Sequence, residues 1–287
     1  MKALRLHHPA WLGAPFLAAA VFLVAIPLGM TGWMSLQEYD GIHPARSVGL
    51  ENFLTVFSDP VFSQALDNSL IFAGLSVPLR VGIAFALALL LARRTPLGGL
   101  FRTLVYLPSV LPEIAFALVW LWILNPLHGP ITLLAPLGVA PGGWLVDAWS
   151  ARLALVAMTL LQIGELFLVL LAVRRQLPEE LYEVCALEGG GAWTAFRKIT
   201  LPLLLPVVIL LAARDVALSL QASFVPALVV TKGGPQLATT FLPLYVYQTG
   251  FEYLRFGAAA AMTMFILALT AAMVGVQAAV LNLLSRP

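Results

Sequence analysis

The apolar residues of this chain gather in six long stretches, at about residues 11–35, 69–92, 103–124, 152–173, 201–223 and 257–283. Each approaches the about 20 residues that a helix needs to cross roughly 30 Å of hydrocarbon. Backbone groups inside a bilayer find no water to bond, so a helix is the reading for runs of this kind. Polar residues collect between the stretches. The pattern predicts an all-α, polytopic membrane protein with six transmembrane helices.

The first run, Trp11 to Met30, follows Lys2 and Arg5 and resembles a signal peptide in outline. It is too long for one, and Thr31-Gly32-Trp33-Met34-Ser35 has no small-x-small cleavage site. Residues 1–10 are expected as an N-terminal tail and 11–35 as an uncleaved first span. Basic residues set the orientation. Lys2, Arg5, Arg93, Arg94, Arg102, Arg174, Arg175, Arg197, Lys198 and Arg286 fall on one side, ten of the sixteen lysines and arginines. The opposite loop, 36–68, carries Glu38, Asp40, Glu51, Asp59 and Asp67 against Arg46 alone. Both termini are expected in the cytoplasm. Trp11, Trp33, Tyr39, Tyr106 and Trp122 fall towards span ends, where aromatic rings serve as interfacial anchors.

Composition agrees with the pattern. Hydrophobic residues make up 61% of the chain and charged ones 10%, with a mean hydropathy of +0.94. Soluble domains carry about 25% charged residues. One cysteine, Cys185, leaves no internal disulfide and no cysteine metal cluster. His7, His8, His43 and His128 have no ligand spacing, so no metal is expected. No Gly-x-x-x-x-Gly-Lys-Ser/Thr occurs, and neither Leu97-Gly98-Gly99 nor Gly189-Gly190-Gly191 is followed by the required lysine. His-Glu-x-x-His and Gly-x-Ser-x-Gly are absent too, which removes two common grounds for a membrane-embedded hydrolase. Two halves related as an inverted repeat, the mark of many secondary transporters, are not visible.

Between the fourth and fifth stretches, residues 174–200 are too polar to cross a membrane and too patterned for a plain linker. Pro178, Glu179 and Glu180 suit a helix start. Leu181, Val184, Cys185 and Glu188 follow at helical spacing, and three glycines stop the helix. A second short helix is expected from Ala192 to Lys198, with Trp193 and Phe196 on one face, before Pro202 opens span five. Such a segment is either a surface hairpin or a docking element with an apolar patch ringed by carboxylates.

Here a resemblance adds to the residues. Glu183, Gly189 and Ile199-Thr200-Leu201-Pro202 are spaced like the cytoplasmic signature of the permeases of binding-protein-dependent ABC importers: Glu-Ala-Ala, three residues, Gly, nine residues, Ile-x-Leu-Pro. Val184 and Cys185 stand where that family usually has alanines, and Glu188-Gly189-Gly190 where Asp-Gly-Ala is common. Asn68-Ser69, Phe101-Arg102, Tyr106-Leu107-Pro108, Trp120, Asn125-Pro126, Gly129 and Thr231-Lys232-Gly233-Gly234-Pro235 are similar to the sugar-type branch. So are Thr239-Thr240, Tyr245, Tyr247, Phe251 and Gly257-Ala258-Ala259. The resemblance implies a five-helix permease core over 65–283 with a coupling loop at 174–200. It also implies uptake of a carbohydrate, polyol or glycerol phosphate, with Glu183, Ala186, Gly189, Trp193, Phe196, Ile199, Leu201 and Pro202 meeting a separate ATPase. The expected partners are two ATPase copies that hold ATP and magnesium, a second permease in a heterodimer, an extracytoplasmic solute-binding protein and membrane lipid, without nucleic acid. No cofactor is expected in this chain.

Charges inside the apolar stretches point to the path. Arg80, Glu113, Glu165, Arg214 and Asp215 are costly in hydrocarbon, at about 2.5–3.5 kcal/mol each on insertion scales, so they should face the bundle interior. They are either an ion-pair network that fixes packing or contacts for solute. Gln162, Ser219, Gln221 and Ser223 are uncharged candidates for sugar hydroxyls. Pro108 and Pro112 break span three and Pro226 follows span five, as ordinary membrane-helix prolines or as breaks that expose backbone. Gly233-Gly234-Pro235 is expected as an external turn, against the binding protein or at the cavity mouth.

Overall fold

The computed structural model describes residues 13–93, 95–137 and 143–284. Lys2, Arg5, His7, His8, Trp11, Arg94 and Arg286 lie outside the described residues, as does the tail 1–10. Helices dominate, and the one sheet among the described residues is a two-stranded ribbon. Among the described residues four helices are long and apolar enough to cross a membrane, and two bent pairs complete six spans when each pair counts as one.

The chain divides into two compact units. One runs to Asp59 and takes in Val246–Leu267. It holds α1 (Ala14–Met34), the hairpin of β1 (Gln37–Glu38) and β2 (Arg46–Ser47), and α2 (Glu51–Ser58). No residue of α1 is buried within the chain, and Phe16, Phe22 and Leu23 stand exposed, as a lipid-facing span requires. The Asn52 amide ties the hairpin down by donating to the carbonyls of Ser35 (2.9 Å) and Gln37 (2.8 Å). Asp40 accepts from His43 Nδ1 and from the amides of His43 and Ile42. These bonds, His43's side chain first, hold its carboxyl well below the usual carboxylate range and push His43 upward.

The other unit is the bundle proper, Pro60–Tyr245 with Ala268–Pro287. At its centre α3 (Pro60–Leu90) packs on α6 (Ala148–Thr159), α7 (Gly164–Gln176) and α9 (Ala192–Thr231). Val77, Val81, Ala84 and Ala88, at i, i+4, i+7 and i+11, form one seam against Leu166, Phe167 and Leu170. Phe72 begins a second cluster with Leu155, Met158 and Phe241. The helix α3 starts nine residues ahead of the expected 69, because 60–68 is amphipathic rather than uniformly apolar. Phe62 and Ala65 are buried there while Ser63 and Asp67 are exposed.

The break expected at Pro108 and Pro112 in span three is present, and two further expectations are corrected. Span three is two helices, α4 (Gly98–Tyr106, prolonged by a 3-10 turn to Val110) and α5 (Glu113–Ile123), at 101°. Pro112 excludes helical geometry from Leu111, whose ψ is 137°. Span four bends by 47° between α6 and α7, across Leu160–Ile163. Asp147 caps α6 by accepting from the amides of Trp149 and Ser150, and Gly164 lets α7 start so close to Ser109 that a Cβ would stand 2.7 Å from its hydroxyl. The second correction concerns α9, a single helix of 40 residues, about 60 Å at 1.5 Å per residue. It absorbs the expected separate helix 192–198 and runs through Pro202, Pro206 and Pro226. A π turn, Phe196–Thr200, makes this possible: Leu201 N–H bonds Phe196 O, shifting the ladder just where Pro202 has no N–H to give. The short helix α8 (Glu180–Leu187) precedes α9 in the chain, and α10 (Leu242–Tyr247) and α11 (Phe256–Leu284) follow it.

Candidate functional site

Within the bundle a cavity of about 400 Å³ opens between α3, α5, α7 and α9. Arg80, Glu113, Glu165, Arg214 and Gln221 line it, together with Gln162, Ser109 and Thr159. Five of the six path residues expected from sequence therefore converge. The sixth, Asp215, lies behind the wall, 1% exposed, with its Oδ1 3.3 Å from Arg80 Nη2. That pair is held by charge rather than by a well-directed hydrogen bond, since neither Asp215 oxygen nor Arg80 Nε finds one among the described residues. Arg80 Nη2 donates to Gln162 O at 3.2 Å. Gln162 sits in the break between α6 and α7, where the helical ladder is interrupted and a carbonyl is available. Arg214 Nη2 meets Glu165 Oε2 at 2.6 Å in a more open position. Glu113 opens α5 directly after Pro112, and its carboxylate has no ion-pair partner among the described residues.

Ser219 and Ser223 do not reach this cavity. Both are buried and bond their own helix, to Val216 O and Leu220 O. Hydroxyls of this type return to the preceding turn whenever no better acceptor faces them. Ser109 and Thr159 do line the cavity and were not anticipated. Their signal was present in the broken spans, because each stands within a few residues of a break.

The loop 174–200 presents its side chains outward. No residue of α8 is buried, and Leu181, Val184 and Leu187 are exposed, Leu187 by 88%. Glu183, Ala186 and Gly189 are exposed with them, as is Trp193 at 70%. Phe196, Ile199 and Leu201 are half-buried instead, and Phe196 stacks between Trp193 (5.3 Å) and Phe85 of α3 (6.3 Å). Pro202 is exposed in the first turns beyond the π turn. Glu183 also borders a cleft of about 600 Å³ with Arg93, Arg174, Arg175 and Glu179. Tyr182 braces the loop, its ring under the Arg174 guanidinium at 4.5 Å and its hydroxyl 2.9 Å from Thr200 Oγ1.

At its end α8 closes as a Schellman turn, with Gly190 N–H to Cys185 O (2.8 Å) and Gly189 N–H to Ala186 O (3.0 Å). Gly189 has φ +79°, which needs glycine. A Cβ at 190 would lie 2.5 Å from Cys185 Sγ. Two of the departures from the usual signature, Cys185 and Gly190, are thus coupled, the Cys185 Sγ standing where a Cβ at 190 would come.

The turn after α9 is clamped rather than projecting. Lys232 ends the helix at φ 51°, Gly233 follows at φ 84°, and the Gly234–Pro235 bond is cis. Thr239 and Thr240 hydroxyls donate to the carbonyls of Gly234 and Gly233. Asn68 donates to Leu237 O and Thr240 O, while Arg152 bonds Ala238 O (2.9 Å) and Asn68 Oδ1 (2.7 Å). Arg152 was missed in the sequence because a lone arginine near a span end reads as an interfacial residue.

Comparison with known proteins places this arrangement. The family of inner membrane components of binding-protein-dependent transport systems matches residues 81–285. The lactose transport system permease protein LacF of Rhizobium radiobacter is 31% identical over 83% of this chain and 83% of its own length. The trehalose/maltose permease MalF of Thermococcus litoralis is 32% identical, covering 81% and 80%. The probable ABC transporter permease YesP of Bacillus subtilis is 30% identical, covering 87% and 82%. In fold, a chain of a bacterial ABC transporter involved in the import of alginate superposes with a TM-score of 0.83 at 22% identity, over 96% of this chain and 95% of that one. Six apolar spans, a patterned loop before the fifth and this likeness have one reading: the chain belongs to the inner membrane components of binding-protein-dependent transport systems, as a permease subunit of an ABC importer.

Proposed function

We propose that this permease carries a carbohydrate, polyol or glycerol phosphate through the cavity of Arg80, Glu113, Glu165, Arg214 and Gln221, driven by a separate ATPase docked on residues 174–200. The observation that carries the reading is the continuity of α9. One helix bears Trp193 and Phe196 at its start and Arg214 and Gln221 on the cavity wall. From Phe196 to Arg214 is about 27 Å of helix. Movement imposed on the loop is therefore passed to the wall as rigid-body motion, and the cavity opens alternately to the two sides.

In this reading Glu183, Ala186, Gly189 and Trp193 form the surface that the ATPase grips, and Phe196, Ile199, Leu201 and Pro202 fasten that surface to the bundle. The carboxylate of Glu183 beside Arg93, Arg174 and Arg175 supports a docking partner that carries both signs of charge. ATP and magnesium belong to that partner, of which two copies serve two permeases, this chain and a non-identical second one. The solute-binding protein delivers solute at the face of the Gly233-Gly234-Pro235 turn, and both termini lie in the cytoplasm. Residues 11–35 precede a permease core at 65–283. The relatives are named for lactose, trehalose/maltose and sn-glycerol-3-phosphate transport, which supports the solute class.

Gentle detergent purification followed by mass spectrometry of what stays bound tests the assembly. A P-loop ATPase and a second six-span protein are the expected companions. A single permease species would sink the heterodimer, and a chain that repeatedly emerges folded and alone would sink the docking surface.

A further inference from the structure

The charges on the cavity wall separate the solutes left open above. An anion needs a cation whose charge is not already met. Arg214 is engaged by Glu165 at 2.6 Å, and Arg80 by Asp215 at 3.3 Å and by the Gln162 carbonyl at 3.2 Å. Glu113 adds a carboxylate with no ion-pair partner. Two guanidinium groups thus stand against three carboxylates, a formal charge of −1 for the wall and its backing. A phosphate or carboxylate entering here would have to take Arg214 from Glu165 and would meet Glu113 besides.

What the wall leaves free is suited to hydroxyl groups. Among the described residues the Gln162 and Gln221 side-chain amides make no hydrogen bond, and each offers both donors and an acceptor. Ser109 accepts from Gly164 N–H at 2.8 Å, so its own proton is free to point outward. Glu113 accepts only. A hydroxyl both donates and accepts, so it can meet every one of these groups, whereas an oxyanion can meet the donors alone.

We infer that this permease passes an uncharged, hydroxyl-rich solute and rejects its phosphorylated or uronate counterparts, through the paired guanidinium groups of Arg80 and Arg214 and the unpaired carboxylate of Glu113. The inference rests on the carbohydrate-transport reading and narrows it. The test is ATP-dependent uptake into proteoliposomes that hold the whole complex with its own binding protein. The probes are neutral sugars or polyols and their C6-oxidised uronates, with glycerol phosphate as a further anion. The wild-type complex is expected to favour the neutral member of each pair by at least tenfold. With the binding protein unchanged, the Glu113→Gln/Glu165→Gln variant should raise the ratio of uronate to neutral uptake by at least tenfold. Wild-type preference for the anions overturns the inference without any variant, and so does an unchanged ratio in a variant that still transports. If no carbohydrate or polyol of either charge is taken up while another solute class is, the carbohydrate reading falls and takes the inference with it.

Discussion

The cavity wall and the loop 174–200 treat charge in opposite ways. On the wall, Arg80 and Arg214 are each met by a carboxylate from another helix. On the loop, Glu180, Glu183 and Glu188 stand exposed beside bare Leu181, Val184 and Leu187. A bilayer makes an unpaired charge expensive, so helices crossing it pair their charges or, as with Glu113, turn them to a cavity. Water imposes no such demand, and a polar loop between spans can keep its carboxylates and apolar side chains open. Paired charges mark the part of this permease that stabilises itself, and the open surface is the part that, in the function proposed above, another subunit completes.

The sharpest way to break this contrast is to open a closed pair. Asp215→Asn leaves Arg80 buried without its counter-charge and should cost about 3–5 kcal/mol, read as a loss of folded protein in detergent thermal unfolding. Replacing both, as Arg80→Met with Asp215→Leu, should return most of it. Next in size is Glu183→Arg, which should lower substrate-stimulated ATPase activity of the assembled complex at least tenfold while leaving the unfolding temperature of the isolated chain unchanged. An unchanged ATPase rate would remove Glu183 from the docking surface. Arg152→Ala strips two charge-assisted bonds from the clamp on the Gly233-Gly234-Pro235 turn, and about 2 kcal/mol of stability should go with them. Gly190→Ala should cost about 1–3 kcal/mol through overpacking against Cys185, and Cys185→Ala should recover part of that in a double-mutant cycle. The smallest effect belongs to Glu165→Gln. Arg214 and Glu165 are 48% and 65% exposed, so stability should change by less than about 1 kcal/mol.

Much of this was legible from residues alone, for identifiable reasons. Hydropathy located the spans because apolar length is what a bilayer selects. It passed over the bend at Leu160–Ile163, since the residues around it are as apolar as those in the helices, whereas the break at Leu111–Pro112 was announced by its prolines. Pro202 reads as a helix start because proline favours a first turn, and only coordinates reveal the π turn that carries the helix through it. The intramembrane charges were visible as a set, two positive and three negative. Which carboxylate meets which guanidinium depends on how α3, α7 and α9 are rotated, and spacing in the chain does not encode that. Asn68 was noticed through its likeness to the sugar branch, but its bonds to Leu237 and Thr240 span about 170 residues of sequence and needed the fold.

The π turn at Phe196–Thr200 has a consequence for how α9 tolerates change in length. A π turn is in effect one residue more than an α-helix would hold, and each added residue rotates everything beyond it by about 100°. The angular phase between Trp193 at one end of α9 and Arg214 and Gln221 at the other is thus set by that single turn. An insertion or deletion between Lys198 and Arg214 would keep hydropathy, span length and composition almost intact. It would nevertheless swing Arg214 away from Glu165 and Asp215 away from Arg80, so this stretch of the chain is under a constraint of count as well as of character.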